Sequence, residues 1–289
     1  MTTPCGFARA WVSLLLTAAV GWMPVSAELP SLGKPPWLGH FAVLTDKHCH
    51  FSLNCQGKIS LVPLGDKGDP VAKPLAIPIE IIIREILPDG ETTVKKLKPE
   101  SLTSTQSATD KLEKTVVRGK VTGDASFELT LESKRGLISL GGRLLDPGTL
   151  SKNPLRFSLQ MKFPSAYPKE PKKDSKDAKE TKNNARDFAK KISADHIDLQ
   201  WSDGKRKKQT FEKAVDASSK DLNGPGIATA EIEIAAYKGN KIVVSASPNS
   251  SLTLSNTKAT PLHEGFVIHW LPDPAKDPEG KARFNIEVK

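Results

Sequence analysis

The feature that most constrains this chain is an alternation of apolar and polar residues with a period of two. In residues 155–163, Leu, Phe, Leu, Met and Phe alternate with Arg, Ser, Gln and Lys. Successive side chains of a β-strand point to opposite faces, so this segment predicts a strand with one apolar and one polar face. The same alternation recurs at 77–83, 127–132, 197–201, 232–234, 242–246 and 284–288. Strands with one polar face are typical of antiparallel sheets that share a core, which predicts an all-β fold, an antiparallel β-sandwich.

Turn residues separate these strands and suggest how the chain is divided. Asp89-Gly90 and Asp203-Gly204 are typical of tight hairpins, because glycine readily adopts the positive φ that such turns require. Strands and turns are spaced similarly in the two halves of the chain, which favours two tandem modules, 37–165 and 193–289. One larger sandwich, interrupted by the segment between these ranges, is the alternative.

That intervening segment, 166–192, is rich in lysine and is predicted to be a basic linker. Its second part carries Ala185, Phe188, Ala189 and Ile192 at the spacing of a narrow apolar stripe, so we expect one short helix there.

The first 27 residues have the organisation of a secretory signal peptide. Arg9 precedes an apolar run at 10–20, and Val25-Ser26-Ala27 provides small residues for cleavage near Ala27. The run is shorter than the roughly 20 residues that span a bilayer. We therefore expect a secreted or periplasmic protein without a transmembrane segment in the mature chain, which begins with a short N-terminal linker at 28–36.

The net charge of +9 suggests which partners to expect. A basic exported protein is suited to an anionic polysaccharide or an envelope protein, whereas nucleic acid is not expected in that compartment. Lys205, Arg206, Lys207 and Lys208 follow the Asp203-Gly204 turn and form a candidate anion-binding patch. The alternative is that they keep a sheet edge soluble and unpaired.

His48 and His50 are the candidate metal ligands. Two histidines at i and i+2 on a strand point the same way, about 7 Å apart, and a third ligand such as His263, His269 or an acidic residue would have to come from elsewhere. A divalent metal is accordingly the only cofactor that the sequence suggests. The alternative is a hairpin with an Asp46-Lys47 turn, which leaves both histidines solvated and places Cys49 on the apolar face.

Cys49 and Cys55 are the only cysteines after the predicted cleavage point. Two cysteines in an exported protein suggest a disulfide. On one straight strand, however, they would lie about 20 Å apart, whereas a disulfide needs Cα atoms within about 7 Å. The pairing therefore requires a bend between them, and the sequence leaves it open.

Three tryptophans remain after the predicted cleavage point. Trp201 and Trp270 are in phase with apolar stripes and are predicted to anchor the core. Trp37 follows Pro35-Pro36, and it is the one that we expect to be exposed.

No familiar catalytic motif is present in the sequence, and no catalytic residue is predicted. The chain lacks a Gly-x-Ser-x-Gly elbow and a phosphate-binding glycine loop. The expected function is therefore an exported, non-catalytic binding or structural module. The alternatives are a secreted hydrolase that acts on polysaccharide or peptide, and a metal-binding protein that uses His48 and His50.

Overall fold

A computed structural model describes residues 29–167, 178–212, 226–256 and 260–289 of the chain. The predicted signal peptide, 1–27, and part of the predicted basic linker lie outside these residues. The described chain is nearly all β, with 17 strands and one α-helix. None of its helices is long and apolar enough to cross a membrane.

The strands follow the alternation that the sequence shows, and they are numbered in chain order. The first ten are β1 (His40–Thr45), β2 (Cys49–Asn54), β3 (Ile59–Pro63), β4 (Ile77–Ile86), β5 (Thr92–Lys95), β6 (Leu97–Thr103), β7 (Lys114–Val121), β8 (Ser126–Lys134), β9 (Leu137–Asp146) and β10 (Leu155–Pro164). The helix α1 (Ala178–Ala194) comes next. The remaining strands are β11 (His196–Trp201), β12 (Arg206–Thr210), β13 (Ile227–Glu233), β14 (Lys241–Ala246), β15 (Ser250–Ser255), β16 (Gly265–Pro272) and β17 (Phe284–Val288). Short 3-10 helices lie at Lys73–Leu75, Gly148–Leu150, Ala235–Tyr237 and Leu262–Glu264.

The strands form one antiparallel, curled sheet. One part has the order β6-β7-β8-β9-β17-β14-β13-β11-β12, and the other has the order β1-β2-β3-β4-β10-β16-β15. The two parts meet where Ile227 of β13 pairs with Leu252 of β15. The hairpin strand β5 is added beside β4.

The expected division into two sandwich modules is not confirmed. β10 from the first predicted module pairs with β16 from the second over six residue pairs, and β9 pairs with β17. Buried residues from both halves also belong to one hydrophobic cluster. Alternation fixes which side chains face a core, but it does not specify which strand lies next to which.

Aromatic side chains from both parts of the sheet fill the core between them. Phe127 and Phe157 have ring centroids 6.3 Å apart, and Trp270 lies 6.5 Å from Phe157 and 6.4 Å from Phe284. Trp270 is fully buried and Trp201 is 7% exposed, so the prediction that both anchor the core is confirmed. Large aromatic rings bury much apolar area, which makes this row a principal source of stability.

The predicted hairpin turns at Asp89-Gly90 and Asp203-Gly204 are confirmed. They connect β4 to β5 and β11 to β12, and both glycines have positive φ. The predicted helix is also confirmed as α1, whose Ile192 is buried and whose Phe188 contacts Tyr167 edge to face. Of its predicted apolar stripe, the exposed Ala189 lies outside the buried surface.

The hairpin of β1 and β2 differs from the expectation by its turn. Asp46 donates its backbone N–H to Cys49, and Thr45 pairs with His50, so the two turn residues are Lys47 and His48 rather than Asp46 and Lys47. This shift moves the pairing by two residues and leaves the faces of the strands unchanged. Cys49 is therefore buried in the core as predicted.

Candidate functional site

The middle of the polar face of β10 is buried, although this face points away from the core. Ser158 is 1% exposed and Gln160 is 8% exposed, whereas the alternation alone predicts a wet face. Buried polar side chains cost free energy unless they find partners, so such a surface needs a reason. The strands on either side of β10 supply the setting.

Polar residues on β4, β10, β16 and β15 lie near one another on this outer face, with the apolar Ile82 and Val267 among them. Glu80 pairs with Gln160, Gln160 pairs with His269, and His269 pairs with Thr253. Directly paired residues of antiparallel strands share a face. With neighbouring strands about 4.8 Å apart, the Cα atoms of Glu80 and His269 lie about 10 Å apart. We call the following set the polar patch: Glu80, Arg84, Arg156, Ser158, Gln160, Lys162, Thr253, Ser255 and His269.

His269 is the titratable group with the most perturbed environment in the polar patch. Its Nε2 lies 2.9 Å from Ser255 Oγ, and the hydroxyl can donate or accept according to the tautomer of the imidazole. Burial, followed by the positive charges of Arg84 and Lys162, lowers the pKa of His269 from 6.5 to about 4. The imidazole is therefore neutral at neutral pH, with one N–H to donate and one nitrogen to accept.

Two further contacts fix the charged groups of the polar patch. Lys162 Nζ and Glu80 Oε2 form an ion pair at 2.6 Å, and both side chains are about two-fifths exposed. Arg84 Nη1 donates to Ser158 Oγ over 3.4 Å, and Ser158 Oγ donates to the backbone oxygen of Ile82 over 3.3 Å. The buried serine thus connects a guanidinium to the backbone of β4.

A groove of about 1250 Å³ opens beside the polar patch. Its wall includes Arg156 from the patch, together with Leu271 and Ser251. Leu271 lies two positions after His269, and Ser251 lies two positions before Thr253, so both lie on the same face as the patch. Sites for small molecules typically have roughly 300–1000 Å³, so this groove has room for an extended ligand.

The predicted metal site at His48 and His50 gains no third ligand. Within the described residues, no group of three His, Cys, Asp or Glu side chains converges as a metal site. His48 lies in the turn and His50 in β2, where the ring of His50 packs edge to face on Trp37 at 5.3 Å. Burial lowers the pKa of His50. Neither His50 nor Trp37 is fully solvated, since both are half-buried in this contact.

The candidate disulfide between Cys49 and Cys55, which the sequence leaves open, does not form in the structure. Cys49 begins β2, Cys55 follows its last residue, and the two are not bonded. An uninterrupted strand separates them by about 20 Å, because no bend brings the two ends together. Burial, and secondarily the charge of Asp46, raises the pKa of Cys49 to about 12, so this thiol does not act as a nucleophile.

The basic residues of the predicted anion patch are divided by their strand. Lys205 precedes β12, and Arg206, Lys207 and Lys208 are its first three residues. Arg206 and Lys208 are exposed and Lys207, opposite the buried Leu199, is half-buried, so consecutive residues point to opposite faces. The structure does not bring the four together on one surface, and anion binding there stays a prediction.

No protein-family model matches the chain, and no curated protein matches it.

Solved structures that are similar to this chain include the following three. "Putative aldose 1-epimerase" from Escherichia coli K12 has 11% identity and a TM-score of 0.44 over 86% of this chain and 98% of that one. The α-N-acetylgalactosaminidase NagBb from Bifidobacterium bifidum has 9% identity and a TM-score of 0.48 over 86% of this chain and 36% of that one. The Slr1438 protein from Synechocystis sp. PCC 6803 has 13% identity and a TM-score of 0.41 over 86% of this chain and 94% of that one.

These neighbours correct the expected function. Two of the three are named as carbohydrate enzymes, which contradicts the expectation of a non-catalytic exported binding or structural module. At these identities and TM-scores, however, no residue role is transferred to this chain.

Proposed function

We propose that the protein is an enzyme that moves protons on a sugar bound at the polar patch, with Glu80 and His269 as the two reacting groups. The observation that carries the proposal is the cross-strand row Glu80, Gln160 and His269 on the outer face of the sheet. A carboxylate and a neutral imidazole therefore face the same space from opposite sides of Gln160.

The composition of the polar patch suits a polyhydroxylated ligand. Carboxylate, amide, imidazole and hydroxyl groups together offer both donors and acceptors, which a sugar ring needs at each of its hydroxyl groups. Gln160, which is nearly buried, lies between Glu80 and His269 and would contact the ring from below. Its amide can donate to one hydroxyl and accept from another.

The roles follow from the charges of the two groups. Glu80 would accept the proton of the anomeric hydroxyl while the bond between C1 and the ring oxygen breaks. His269 would donate a hydrogen bond from its N–H to the ring oxygen as negative charge develops there, because an imidazole with a low pKa works as a neutral donor. Rotation about the C1–C2 bond then turns the other face of the aldehyde to the ring oxygen, and as the ring closes Glu80 returns its proton to the carbonyl oxygen, which gives the other anomer.

Hydrolysis with two carboxylates fits this patch less well. Most glycoside hydrolases use two carboxylates about 5–9.5 Å apart. Within the described residues that make up the polar patch, Glu80 is the only carboxylate. We therefore propose interconversion of anomers as the reaction, and hydrolysis becomes the second arm of the test.

The test measures anomer interconversion by NMR and polarimetry, starting from pure anomers of a panel of neutral and acidic reducing sugars. A parallel assay follows sugar release from glycosides. Wild-type protein should accelerate interconversion above the buffer rate. Glu80→Gln should lower the rate by about 10²- to 10⁴-fold, the usual contribution of a general base, and His269→Asn by up to about 10³-fold, the usual cost of losing one hydrogen-bond donor aimed at a developing oxyanion. His50→Gln, which changes a half-buried histidine elsewhere on the outer face, is the matched control.

Two results would count against the proposal. The first is wild-type protein that accelerates interconversion of no sugar in the panel. The second is interconversion that survives unchanged in Glu80→Gln and His269→Asn. Sugar release without interconversion would replace the proposed reaction with hydrolysis.

A further inference from the structure

Two arginines oppose each other directly across the β4–β10 pair. Arg84 and Arg156 are Cα partners, so both side chains leave the outer face of the sheet at the same position. Like charges directly opposite each other on antiparallel strands are destabilising. Among the residues that the structure describes, neither arginine forms an ion pair.

Their surroundings hold one guanidinium in place and leave the other accessible. Arg84 is half-buried and donates to the buried Ser158, which is itself held by the backbone of β4. Burial lowers the pKa of Arg84, as expected for a cation taken from water without a carboxylate partner. Arg156 is exposed and lies on the wall of the groove.

We propose that Arg84 and Arg156 form a subsite for an anionic oxygen group, a carboxylate, sulfate or phosphate, carried by the sugar. Guanidinium groups present paired N–H donors that match the oxygens of such groups, and neither of these two has an ion-pair partner among the described residues. This inference rests on the proposed function for the sugar itself, but it concerns the acidic group and not the reaction.

The position of the pair is consistent with one ligand that reaches both groups of residues. Arg84 lies four positions along β4 from Glu80, a backbone separation of about 13 Å. An arginine side chain is long enough to cover about half of this distance. The acidic group would therefore belong to the sugar held by Glu80 and His269 or to the next sugar of the same chain. The groove beside Arg156 has the volume for the latter.

The test compares the binding of acidic and neutral sugars by calorimetry and by NMR titration, independently of turnover. The probes are glucuronate, a glucose 6-sulfate, glucose 6-phosphate, a glucuronate-containing disaccharide and glucose. Wild-type protein should prefer at least one acidic probe over glucose by about 10- to 100-fold, the range that charge-assisted hydrogen bonds typically supply. Comparison among the acidic probes identifies the group that the subsite takes.

The variants distinguish binding by these two arginines from nonspecific attraction of anions to a basic protein. The double variant Arg84→Gln/Arg156→Gln should lose the preference, and Arg156→Lys should retain part of it. Arg118→Gln is the matched control, because Arg118 is a strand arginine that is paired with Glu128. Circular dichroism and thermal melts confirm that each variant is folded.

The outcomes distinguish the inference from the proposed function. Preferential binding of an acidic sugar without turnover would support the subsite and contradict the proposed reaction. Turnover of neutral and acidic sugars with equal affinity would support the proposed reaction and contradict the subsite. Absence of binding of every acidic probe, or a preference that survives in the double variant, would overturn the subsite.

Discussion

Charged residues are arranged differently on two outer faces of the same sheet. On β7, β8 and β9, five charged residues lie opposite residues of complementary charge. Arg118 pairs with Glu128, Lys114 pairs with Glu132, and Arg143 approaches Glu128 from the other side. We call these five residues the paired face. In the polar patch, by contrast, Arg84 opposes Arg156, and His269 lies within the field of Arg84 and Lys162.

We infer from this difference that the paired face serves only as a soluble surface. Complementary cross-strand pairs stabilise a wet surface and need nothing else. The polar patch contains repelling and buried polar groups that a purely structural surface would avoid, which is typical of functional sites, where local rules are broken. Substitutions should therefore have opposite consequences on the two faces.

The largest expected effect is the loss of stability in acid that His269 causes. The folded pKa of about 4 lies below the ordinary value of 6.5, so the unfolded chain binds a proton at this histidine between these pH values and the folded chain does not. The contribution of the neutral His269 to the free energy of unfolding is fully present above pH 6.5, decreases as the pH falls and is lost below about pH 4. The upper limit is about 3 kcal/mol, reduced by the remaining solvent exposure.

The measurement is denaturant unfolding at a series of pH values for wild-type protein and His269→Gln. The variant should flatten the pH dependence between 6.5 and 4. The paired face should contribute only at the acidic end of that window. Although burial opposes it, the hydrogen bonds and charges of Arg118 and Arg143 lower the pKa of Glu128 below 4.5, so its contribution is lost at lower pH. If the free energy of unfolding depends on pH in the same way for wild-type protein and His269→Gln, the expected difference between the two faces is contradicted.

The faces of individual strands could be predicted from sequence, and the row of reacting groups could not. Alternation placed Leu159 and Met161 in the core, and it also placed Trp270 there. It assigned Gln160 to a wet face, whereas the structure buries it. Local periodicity says which way a side chain points, and it carries no information about what covers that face.

The candidate site depends on pairings between distant strands. Glu80, Gln160 and His269 become neighbours only through β4–β10 and β10–β16, and no local spacing in the chain connects them. The sequence instead drew attention to His48 and His50, which are dense along the chain but gain no third ligand. From the sequence, the only role predicted for His269 is that of a third metal ligand beside His48 and His50. The available signal was the alternation of polar residues on β10 and the isolated polar residues on the apolar strands β4 and β16, and it becomes informative once the order of these strands is known.

The next effect in size belongs to the paired face. Glu128→Ala removes the partner of Arg118 and Arg143, which lie 2.8 Å and 3.2 Å away. We expect a loss of about 1 kcal/mol in the free energy of unfolding, because one poorly exposed carboxylate serves a small network rather than an isolated surface pair. Urea unfolding at neutral pH measures it. Glu128→Ala should leave sugar turnover unchanged, and a variant that loses turnover would contradict the assignment of this face as structural.

The smallest effect has the opposite sign. Arg156→Gln removes one of two like charges that oppose each other, so the ligand-free protein should gain a few tenths of a kcal/mol, within the range of about 0.2–1 kcal/mol for cross-strand pairs. A double-mutant cycle of Arg84→Gln and Arg156→Gln should give a repulsive coupling, whereas the cycle of Arg118→Gln and Glu128→Gln should give an attractive one. Both couplings should shrink in high salt, since exposed charges are screened. An attractive coupling between Arg84 and Arg156 would show that they share an anion within the folded protein or are compensated by other groups, and the contrast between the two faces would then no longer hold.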